Sequence, residues 1–368
     1  MGFLAKSIFK TFYTAKIHAV IVGGSGALGQ SYMRSIQLLT PKAIITTIDF
    51  APALSVKIDE PYVRYPVVER PPRKSTGNEN ADKTLEEKPP AKRIPNLELK
   101  RELIHNHILL PKTASSSLGS FALENIVPQL DALDALHGPP DVIINCSGSW
   151  SGAPFPSIVG VPDAGSSLSS YLDDFSKMHA PNFESTALTT AIAFRYLRPT
   201  ALSAPALDHS QLHHGVSPTI PWVLYTGAAA STPSSVASGV GAGMAGYVCA
   251  KAASRHLAAV AAPALFAERG GACSAIVHPG TLDTLANRRA MPDADRSEWS
   301  DLNSITKTAI EIVIRSNTVA AVKRYGAQEE AEALRKSKVG DTPDGKLFEY
   351  NCGKNKTSGV TYLKRRAL

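Results

Sequence analysis

The sequence predicts an α/β fold built on a doubly wound parallel sheet. Two observations support this fold class. Short β-branched runs alternate with helical patterns along the chain, which is typical of parallel strands joined by crossover helices. A glycine-rich loop, VGGSGALG at residues 22–29, follows the first run directly and precedes a helical pattern. A strand, a glycine loop and a helix in this order are typical of the nucleotide-binding Rossmann fold.

The individual elements follow from hydrophobic periodicity. The first βαβ unit comprises a strand at Lys16–Val22, a helix at Ala27–Leu39 and a strand at residues 43–48, directly before Asp49. Further strands are predicted at residues 107–110, 141–146, 222–226, 273–278 and 346–352. Further helices are predicted at residues 118–136, 183–197 and 243–261, with a charged helical segment at 323–338.

The organisation is a single domain with additions. Residues 1–16 form a basic N-terminal extension, and residues 17–368 form the predicted nucleotide-binding domain. Three stretches interrupt the alternation and are interpreted as insertions, at about residues 61–102, 198–221 and 322–340. The first is dense in Pro, Lys, Arg and Glu, a composition that favours irregular structure.

Composition limits the function classes. The chain has 368 residues, a formal net charge of +7 and four cysteines. Both signs of charge are interspersed and no nucleic-acid motif occurs, while the cysteines lie far apart, which favours a reducing compartment. We predict no membrane span. The N-terminus carries lysines, hydroxyls and apolar residues without an acid, so it is either a mitochondrial presequence or a basic helix packed on a cytoplasmic protein.

The glycine loop is a candidate dinucleotide site. Gly24, Gly26 and Gly29 form GxGxxG, in which glycines let the backbone approach a pyrophosphate at a helix N-terminus. Asp49, at the end of the second strand, has the position of a carboxylate that accepts both ribose hydroxyls and repels a 2′-phosphate. We therefore expect NADH rather than NADPH. The alternative is a structural glycine turn followed by a chance aspartate.

Tyr247 and Lys251 are candidate catalytic residues. They are spaced i, i+4 in GYVCAK, so both project from one face of the predicted helix. An ammonium close to a phenol favours the phenolate, which predicts a lowered pKa for Tyr247 and proton exchange near neutral pH.

Several motifs in order resemble short-chain dehydrogenases/reductases. NCSG at residues 145–148 is similar to that family's NAG turn, and HPGTLDT at residues 278–284 resembles its PGxxxT element. Asn182 has the position of the family's proton-relay asparagine, although an asparagine before a helix is also a common N-cap. The resemblance implies the following cofactor-binding residues: Gly23, Gly24, Gly26, Leu28, Gly29, Asp49, Ser147, Gly148, Lys251, Pro279, Gly280 and Thr284.

Within that superfamily, four stretches resemble dihydropteridine reductase. They are VGGSGALG, CSGSWSG, TLDTLANRRAMPDADRSEW and GKLFEYN. The resemblance implies NADH-dependent reduction of quinonoid dihydropterin, with Tyr247 as proton donor and Trp150 beside the substrate. It also implies Ala228 in place of the usual catalytic serine, whereas counting back from Tyr247 without a gap gives Ser234.

Other functions stay open beside the reductase. The alternative is a catalytically weak homologue that serves as a structural subunit of a large, possibly mitochondrial, assembly, with protein partners bound through the insertions. The resemblance also implies a homodimer through the helices that carry Asn182 and Tyr247. No metal site is predicted, because His209, His213 and His214 lack further ligands at suitable spacing.

Overall fold

A computed structural model of the chain describes residues 16–40, 42–51, 102–110, 124–150, 168–199, 220–239, 241–324, 345–354 and 361–365. These ranges belong to one compact unit, which comprises residues 1–53 and 101–368. Most of the three predicted insertions, the N-terminal extension before Lys16 and the three histidines at 209–214 lie outside the described residues.

The described part of the chain contains one eight-stranded sheet in the order β3-β2-β1-β4-β5-β6-β7-β8. All neighbours are parallel except β8, which runs antiparallel to β7. The strands are β1 (Lys16–Val22), β2 (Lys42–Asp49), β3 (Glu102–Leu109), β4 (Val142–Asn145), β5 (Trp222–Thr226), β6 (Cys273–His278), β7 (Leu347–Lys354) and β8 (Thr361–Arg365). The predicted fold class is therefore confirmed.

Helices cover both faces of the sheet. They are α1 (Ala27–Leu39), α2 (Val127–His137), α3 (Leu168–His179), α4 (Ser185–Tyr196), α5 (Pro233–Ala237), α6 (Ala245–Glu268), α7 (Leu285–Ala290) and α8 (Leu302–Arg324). On one face, α2, α4 and α6 share a continuous apolar core with the strands. On the other, α1 packs against α8, and Ser31 and Ser35 both contact the hydroxyl of Thr306.

The sheet reverses its direction of growth at β1. From β1 the chain adds β2 and β3 on one side, then returns to place β4 on the other. The register aligns Val22 with Ile48 on one neighbour and with Asn145 on the other. In doubly wound sheets, ligands bind at the carboxyl edge beside this switch point, which is where the glycine loop lies.

The observed elements correct several predicted boundaries. β1, α1, β5 and β6 have the predicted limits. The described helix α2 covers Val127–His137, residues 118–123 of the predicted helix lie outside the described ranges, and α6 extends to Glu268 beyond the predicted end at 261. α3 and β8 were not predicted. A helix was also predicted for the charged segment at 323–338. The described helix α8 begins at Leu302 and ends at Arg324. Residues 325–344, which include most of the predicted segment, lie outside the described ranges.

Candidate active site

The glycine loop is held by the main chain on both sides. The amide of Gly23 donates to the carbonyl of Ile48 at 2.8 Å, which joins the loop to β2. Gly23 has φ of 82°, a left-handed value that favours glycine. A Cβ there would lie 2.5 Å from the amide nitrogen of Ser147, so this position has no room for a side chain.

The other glycines of the loop divide into two kinds. A Cβ on Gly24 would collide with Thr47, and one on Gly29 with the backbone of Gly23, so both are required by packing. Gly26 differs, since its Cβ would only touch the carbonyl oxygen of Gly23 at 3.4 Å. Leu28 is buried beneath the loop. Gly26 is therefore the glycine whose missing side chain leaves open space above the loop.

Asp49 closes the loop from β2. One carboxylate oxygen accepts from the amide of Ser25 at 2.8 Å, and the other accepts from the amide of Ala51 at 3.1 Å. The side chain is half-buried. Each oxygen keeps a lone pair for a further donor, so Asp49 both orders the loop and stays available to a ligand hydroxyl.

An open cleft of about 580 Å³ lies above the switch point. Its walls are mostly apolar, and they are formed by Val22, Gly23, Ile48, Asp49, Phe50, Leu110, Ser147, Ala180, Pro181, Ser185 and Leu188. Asp49 is the charged side chain among these lining residues. At the same edge, α1 begins without a side-chain cap, so its first amides are available to an anion. These features fit the adenosine and pyrophosphate of a dinucleotide.

The turn after β4 joins the cleft to the candidate catalytic residues. Asn145 is fully buried, donates to Thr186 at 2.9 Å and accepts from the amide of Ser147 at 3.0 Å. A Cβ on Gly148 would lie 2.9 Å from Oδ1 of Asn182 and 3.1 Å from Nζ of Lys251. The polar ends of both side chains therefore lie against the backbone of Gly148.

Asn182 lies in a π turn, Ala180–Glu184, between α3 and α4. Such turns interrupt the regular helical bonding and are frequent at functional sites. Its side-chain amide donates to the carbonyls of Ser149 at 3.0 Å and Met178 at 2.9 Å. Oδ1 is buried and accepts no hydrogen bond from the described residues. Asn182 is thus not an N-cap, and it presents an unused acceptor beside Lys251.

Lys251 is buried, and Nζ donates to the carbonyl oxygen of Thr226 at 3.0 Å. Burial lowers the pKa of Lys251 to about 8, because the charged form loses its hydration, and the nearby thiol of Cys146 opposes the shift. The ammonium thus uses one of its three donors on β5.

Tyr247 is half-buried one turn before Lys251. Burial raises the pKa of its phenol to about 12, so the predicted lowering by Lys251 is wrong. The reason is that the ammonium is directed to Thr226 and desolvation of the phenolate is the larger effect. Among the described residues, the Tyr247 hydroxyl has no hydrogen-bond partner.

Ala228 and Ser234, the two candidates for the position of the usual serine, lie in different surroundings. Ala228 is buried two residues past the end of β5, with extended backbone. Ser234 is exposed on the short helix α5. The buried Ser231 donates to the carbonyl of Ala228 at 2.8 Å, so its hydroxyl holds the turn together.

The segment after β6 packs against the turn after β5. The carbonyl of Pro279 accepts from the amide of Ala229 at 2.8 Å. A Cβ on Gly280 would make only an ordinary contact, 3.8 Å from Ser300. Thr284 caps α7 by accepting from the amide of Asn287 at 3.0 Å. The structure therefore gives Thr284 a structural role, and its hydroxyl proton stays available to a ligand.

Sequence reasoning missed two contacts near the site. Nε1 of Trp150 donates to Sδ of Met244 at 3.4 Å, and Met244 immediately precedes α6. Arg255, one turn after Lys251, pairs with the buried Glu349 of β7 at 2.7 Å. The available signals were the spacing of Arg255 from Lys251 and the lone carboxylate of Glu349 within the apolar stretch LFEY at residues 347–350.

His278 lies at the end of β6 and is completely buried, as expected for a core or rim histidine. Its Nε2 is 3.8 Å from Oε2 of Glu349. The ring also packs against Gly227, where a Cβ would overlap it. Together, Glu349, Arg255 and His278 connect α6, β6 and β7 beneath the candidate catalytic residues.

Within the described residues, no three His, Cys, Asp or Glu side chains are arranged to hold a metal ion. Likewise, no helix in those ranges has the length and apolar character needed to span a bilayer.

Comparison with models of known protein families gives no match. Among solved structures, the chain is similar to a short-chain dehydrogenase/reductase from Serratia marcescens, with a TM-score of 0.48 and 13% identity over 81% of this chain and 90% of that one. It is also similar to the aldohexose dehydrogenase of Thermoplasma acidophilum, with a TM-score of 0.48 and 11% identity over 82% and 87%. A 3-oxoacyl-(acyl-carrier protein) reductase from Brucella melitensis gives a TM-score of 0.47 and 12% identity over 81% and 89%. These likenesses concern the fold alone, and the chemistry has to be derived from the chain's own side chains.

Proposed function

We propose that the protein is a nicotinamide-dependent oxidoreductase of the short-chain dehydrogenase/reductase type. The observation that carries the proposal is the convergence at Gly148, where the side chains of Asn182 and Lys251 both lie against the backbone. The preceding residue, Ser147, lines the cleft. Tyr247 precedes Lys251 by one turn on α6. A glycine loop, a carboxylate, and a Tyr, Lys and Asn at one edge of the sheet form a complete set for proton and hydride chemistry.

The residues at the switch point fit NADH. The amides at the start of α1 and the space above Gly26 suit the pyrophosphate, while Asp49 suits the ribose hydroxyls of the adenosine half. When bound, the nicotinamide supplies a hydride. A 2′-phosphate would meet the Asp49 carboxylate, and no basic side chain is among the lining residues of the cleft. This supports NADH over NADPH.

Tyr247 has the protonation state that a reductase requires. A reduction by hydride also consumes a proton, so the side chain beside the substrate has to carry one at neutral pH. With a pKa of about 12, the Tyr247 phenol is protonated at neutral pH. Lys251 holds its place through Thr226 and retains donors for a ribose or the phenol.

We propose quinonoid dihydropterin as the substrate class, with tetrahydropterin as the product. Two features support it in addition to the resemblance of the four stretches. Ala228 leaves the end of β5 without the hydroxyl that polarises a carbonyl, which an already electrophilic quinonoid ring does not require. Trp150 offers an exposed flat surface on the loop that carries Gly148.

We also propose a homodimer formed through the helical segment that carries Asn182, from α3 to α4, and through α6, which carries Tyr247. The helices α3 and α6 pack on each other in the protomer, and each carries a large exposed apolar side chain, Leu172 at 55% and Val260 at 61%. Size-exclusion chromatography coupled to light scattering tests this. Residence in the mitochondrion is a further proposal, and it rests on the basic N-terminal sequence alone.

The deciding experiment measures NADH oxidation by the purified protein with freshly generated quinonoid dihydropterin. Tyr247→Phe is expected to lower kcat at least about 100-fold, the usual loss of a general acid, and to leave NADH binding within about twofold. Tyr196→Phe is the matched control, since Tyr196 lies at the far end of α4 and bonds to Asp131. NADH binding without turnover in the wild type would instead favour a structural subunit or another substrate.

A further inference from the structure

Trp150 is the exception among the three tryptophans of the chain. Trp222 and Trp299 are 1% and 6% exposed, whereas Trp150 is 46% exposed. Leaving so much apolar surface in water forgoes stabilisation that burial would supply. An exposed tryptophan fixed in place beside catalytic residues is typical of a surface that a ligand covers.

The loop that carries Trp150 is anchored at the site. Asn182 donates to the carbonyl of Ser149 at 3.0 Å, one residue before Trp150. Two residues before Trp150, Gly148 lies against Lys251 and Asn182 so closely that a side chain would strike both. The backbone from which the indole projects is therefore held by the candidate catalytic residues themselves.

The ring has its own anchor, Met244. Nε1 of Trp150 donates to Sδ of Met244 at 3.4 Å, and indole nitrogen has no other donor or acceptor capacity. Met244 is three residues before Tyr247, at the beginning of α6. Because the polar edge of the indole is turned to Met244, its orientation is coupled to the helix that supplies Tyr247.

We propose that Met244 is a positioning residue that holds the Trp150 indole as a stacking wall for a flat heteroaromatic substrate beside Tyr247. This rests on the proposed oxidoreductase function and defines the substrate class of that site as planar conjugated rings. A ring that stacks on the indole gains up to about a tenfold preference over a saturated one of equal size. The thioether contributes because it is polarisable and accepts the indole proton.

The test uses the full-length protein and Met244→Leu, which preserves side-chain volume and removes the sulfur. We expect KM for quinonoid dihydropterin to rise about 5- to 10-fold, with kcat and the Kd for NADH changed less than about twofold. Met33→Leu, a volume-conserving change in the buried face of α1, is the control and is expected to leave all three values unchanged.

A second readout does not depend on turnover. With ¹⁵N labelling, the three tryptophans give three indole N–H signals, and Trp150→Phe assigns one of them. Met244→Leu is expected to shift the Trp150 signal in the free protein, and biopterin, a flat probe, is expected to shift the same signal while the other two stay in place. In Met244→Leu, biopterin binding should weaken by the same factor as KM rises.

Two results would overturn the proposal. One is an unchanged Trp150 signal and unchanged KM in Met244→Leu. The other is a wild-type protein that binds NADH while biopterin leaves the Trp150 signal in place, which would retain the nucleotide-binding function and remove the aromatic wall. Failure to bind NADH, by contrast, would contradict the proposed function while the indole spectrum with biopterin still decides the role of Met244.

Discussion

The cofactor half and the substrate half of the candidate site are built from different material. In the cofactor half, main-chain amides make the contacts. The amide of Gly23 donates to the carbonyl of Ile48, and the amide of Ser25 donates to the carboxylate of Asp49. In the substrate half, side chains from distant segments meet, as Lys251 does with Thr226 and Trp150 with Met244. Backbone positions are fixed by a short local pattern, whereas side-chain positions depend on how the helices pack on the sheet.

The two halves also differ in the free-energy cost of burying their polar groups. The glycine loop contains no charged side chain, so no desolvation of charge opposes its folding. In the substrate half, burial lowers the pKa of Lys251 to about 8, so its ammonium is destabilised in the native state. The neutral phenol of Tyr247 has no such cost at neutral pH, because burial raises its pKa to about 12. The buried ammonium is held in place by stability that the rest of the fold supplies, which is typical of functional sites.

The largest expected effect concerns the support beneath α6. Glu349→Gln removes the buried carboxylate that pairs with Arg255 at 2.7 Å and leaves that cation without its partner. We expect the free energy of unfolding to fall by about 3 kcal/mol, at the lower end for broken buried pairs because Arg255 stays partly exposed. Urea unfolding measures it, with the exposed Glu298→Gln as control.

The same variant sharpens the comparison of the two halves. Arg255 and Glu349 join α6 to β7, and neither touches the glycine loop. At low temperature, where the variant stays folded, NADH affinity should be retained within about twofold while turnover declines. Equal loss of both, or a change in unfolding free energy no larger than that of Glu298→Gln, would contradict the assigned support role.

A smaller effect of opposite sign is expected for Lys251→Met. Below pH 8 the native state carries a buried ammonium whose pKa has fallen from 10.5 to about 8. That shift destabilises the native wild type by about 3 kcal/mol. The variant avoids this cost but loses the hydrogen bond to Thr226, which stabilises the wild type by about 1 kcal/mol. The ligand-free variant should therefore be about 2 kcal/mol more stable than the wild type at pH 7, and inactive.

The pH dependence of the free energy of unfolding tests whether burial destabilises Lys251. Between pH 8 and 10.5 the unfolded wild-type chain holds the proton that native Lys251 has released, so wild-type stability rises with pH in that window. The advantage of the variant should accordingly shrink from pH 8 to pH 10.5. The exposed Lys307→Met is the control. An advantage that grows with pH would show that Lys251 is not destabilised by burial.

The fold was predictable because its signals are local. β1, α1, β5 and β6 are uninterrupted apolar or amphipathic runs bounded by Gly or Pro, and the structure has them at the predicted residues. α3 was missed because LSSYLDDFSKMH is rich in hydroxyls and acids, and its helical form depends on packing against α6. β8 was missed because an edge strand needs pairing on only one side.

The sequence predicted which elements carry the candidate residues, but not the pKa values of their side chains. The sequence predicted that Asp49 ends the second strand and that Tyr247 and Lys251 lie one turn apart on one helix, as they do in the structure. The pKa of Tyr247 could not be predicted in this way, because the i, i+4 spacing does not determine which acceptor the Lys251 ammonium bonds. That acceptor, Thr226, is 25 residues from Lys251 in sequence. Met244 was missed for the same reason, since its partner Trp150 is 94 residues distant in sequence.

The smallest effect on stability is expected at Gly26, and Gly23 in the same loop is the comparison. Gly23→Ala puts a methyl group into the backbone of Ser147 at a residue with φ of 82°, so we expect a loss of about 2 kcal/mol of unfolding free energy. Gly26 has φ of −71° and an unobstructed Cβ position, so Gly26→Ala should change stability by less than about 0.5 kcal/mol.

NADH affinity separates the two glycines further. Gly26→Ala fills the space above the loop, where backbone amides at the start of α1 face a phosphate in our proposal, so its Kd for NADH should rise at least about tenfold despite normal stability. Thermal-shift titrations of both variants measure stability and affinity together. If Gly26→Ala instead binds NADH like the wild type, the loop is a structural turn and the pyrophosphate is bound elsewhere; if it unfolds like Gly23→Ala, its glycine is required by the fold rather than by a ligand.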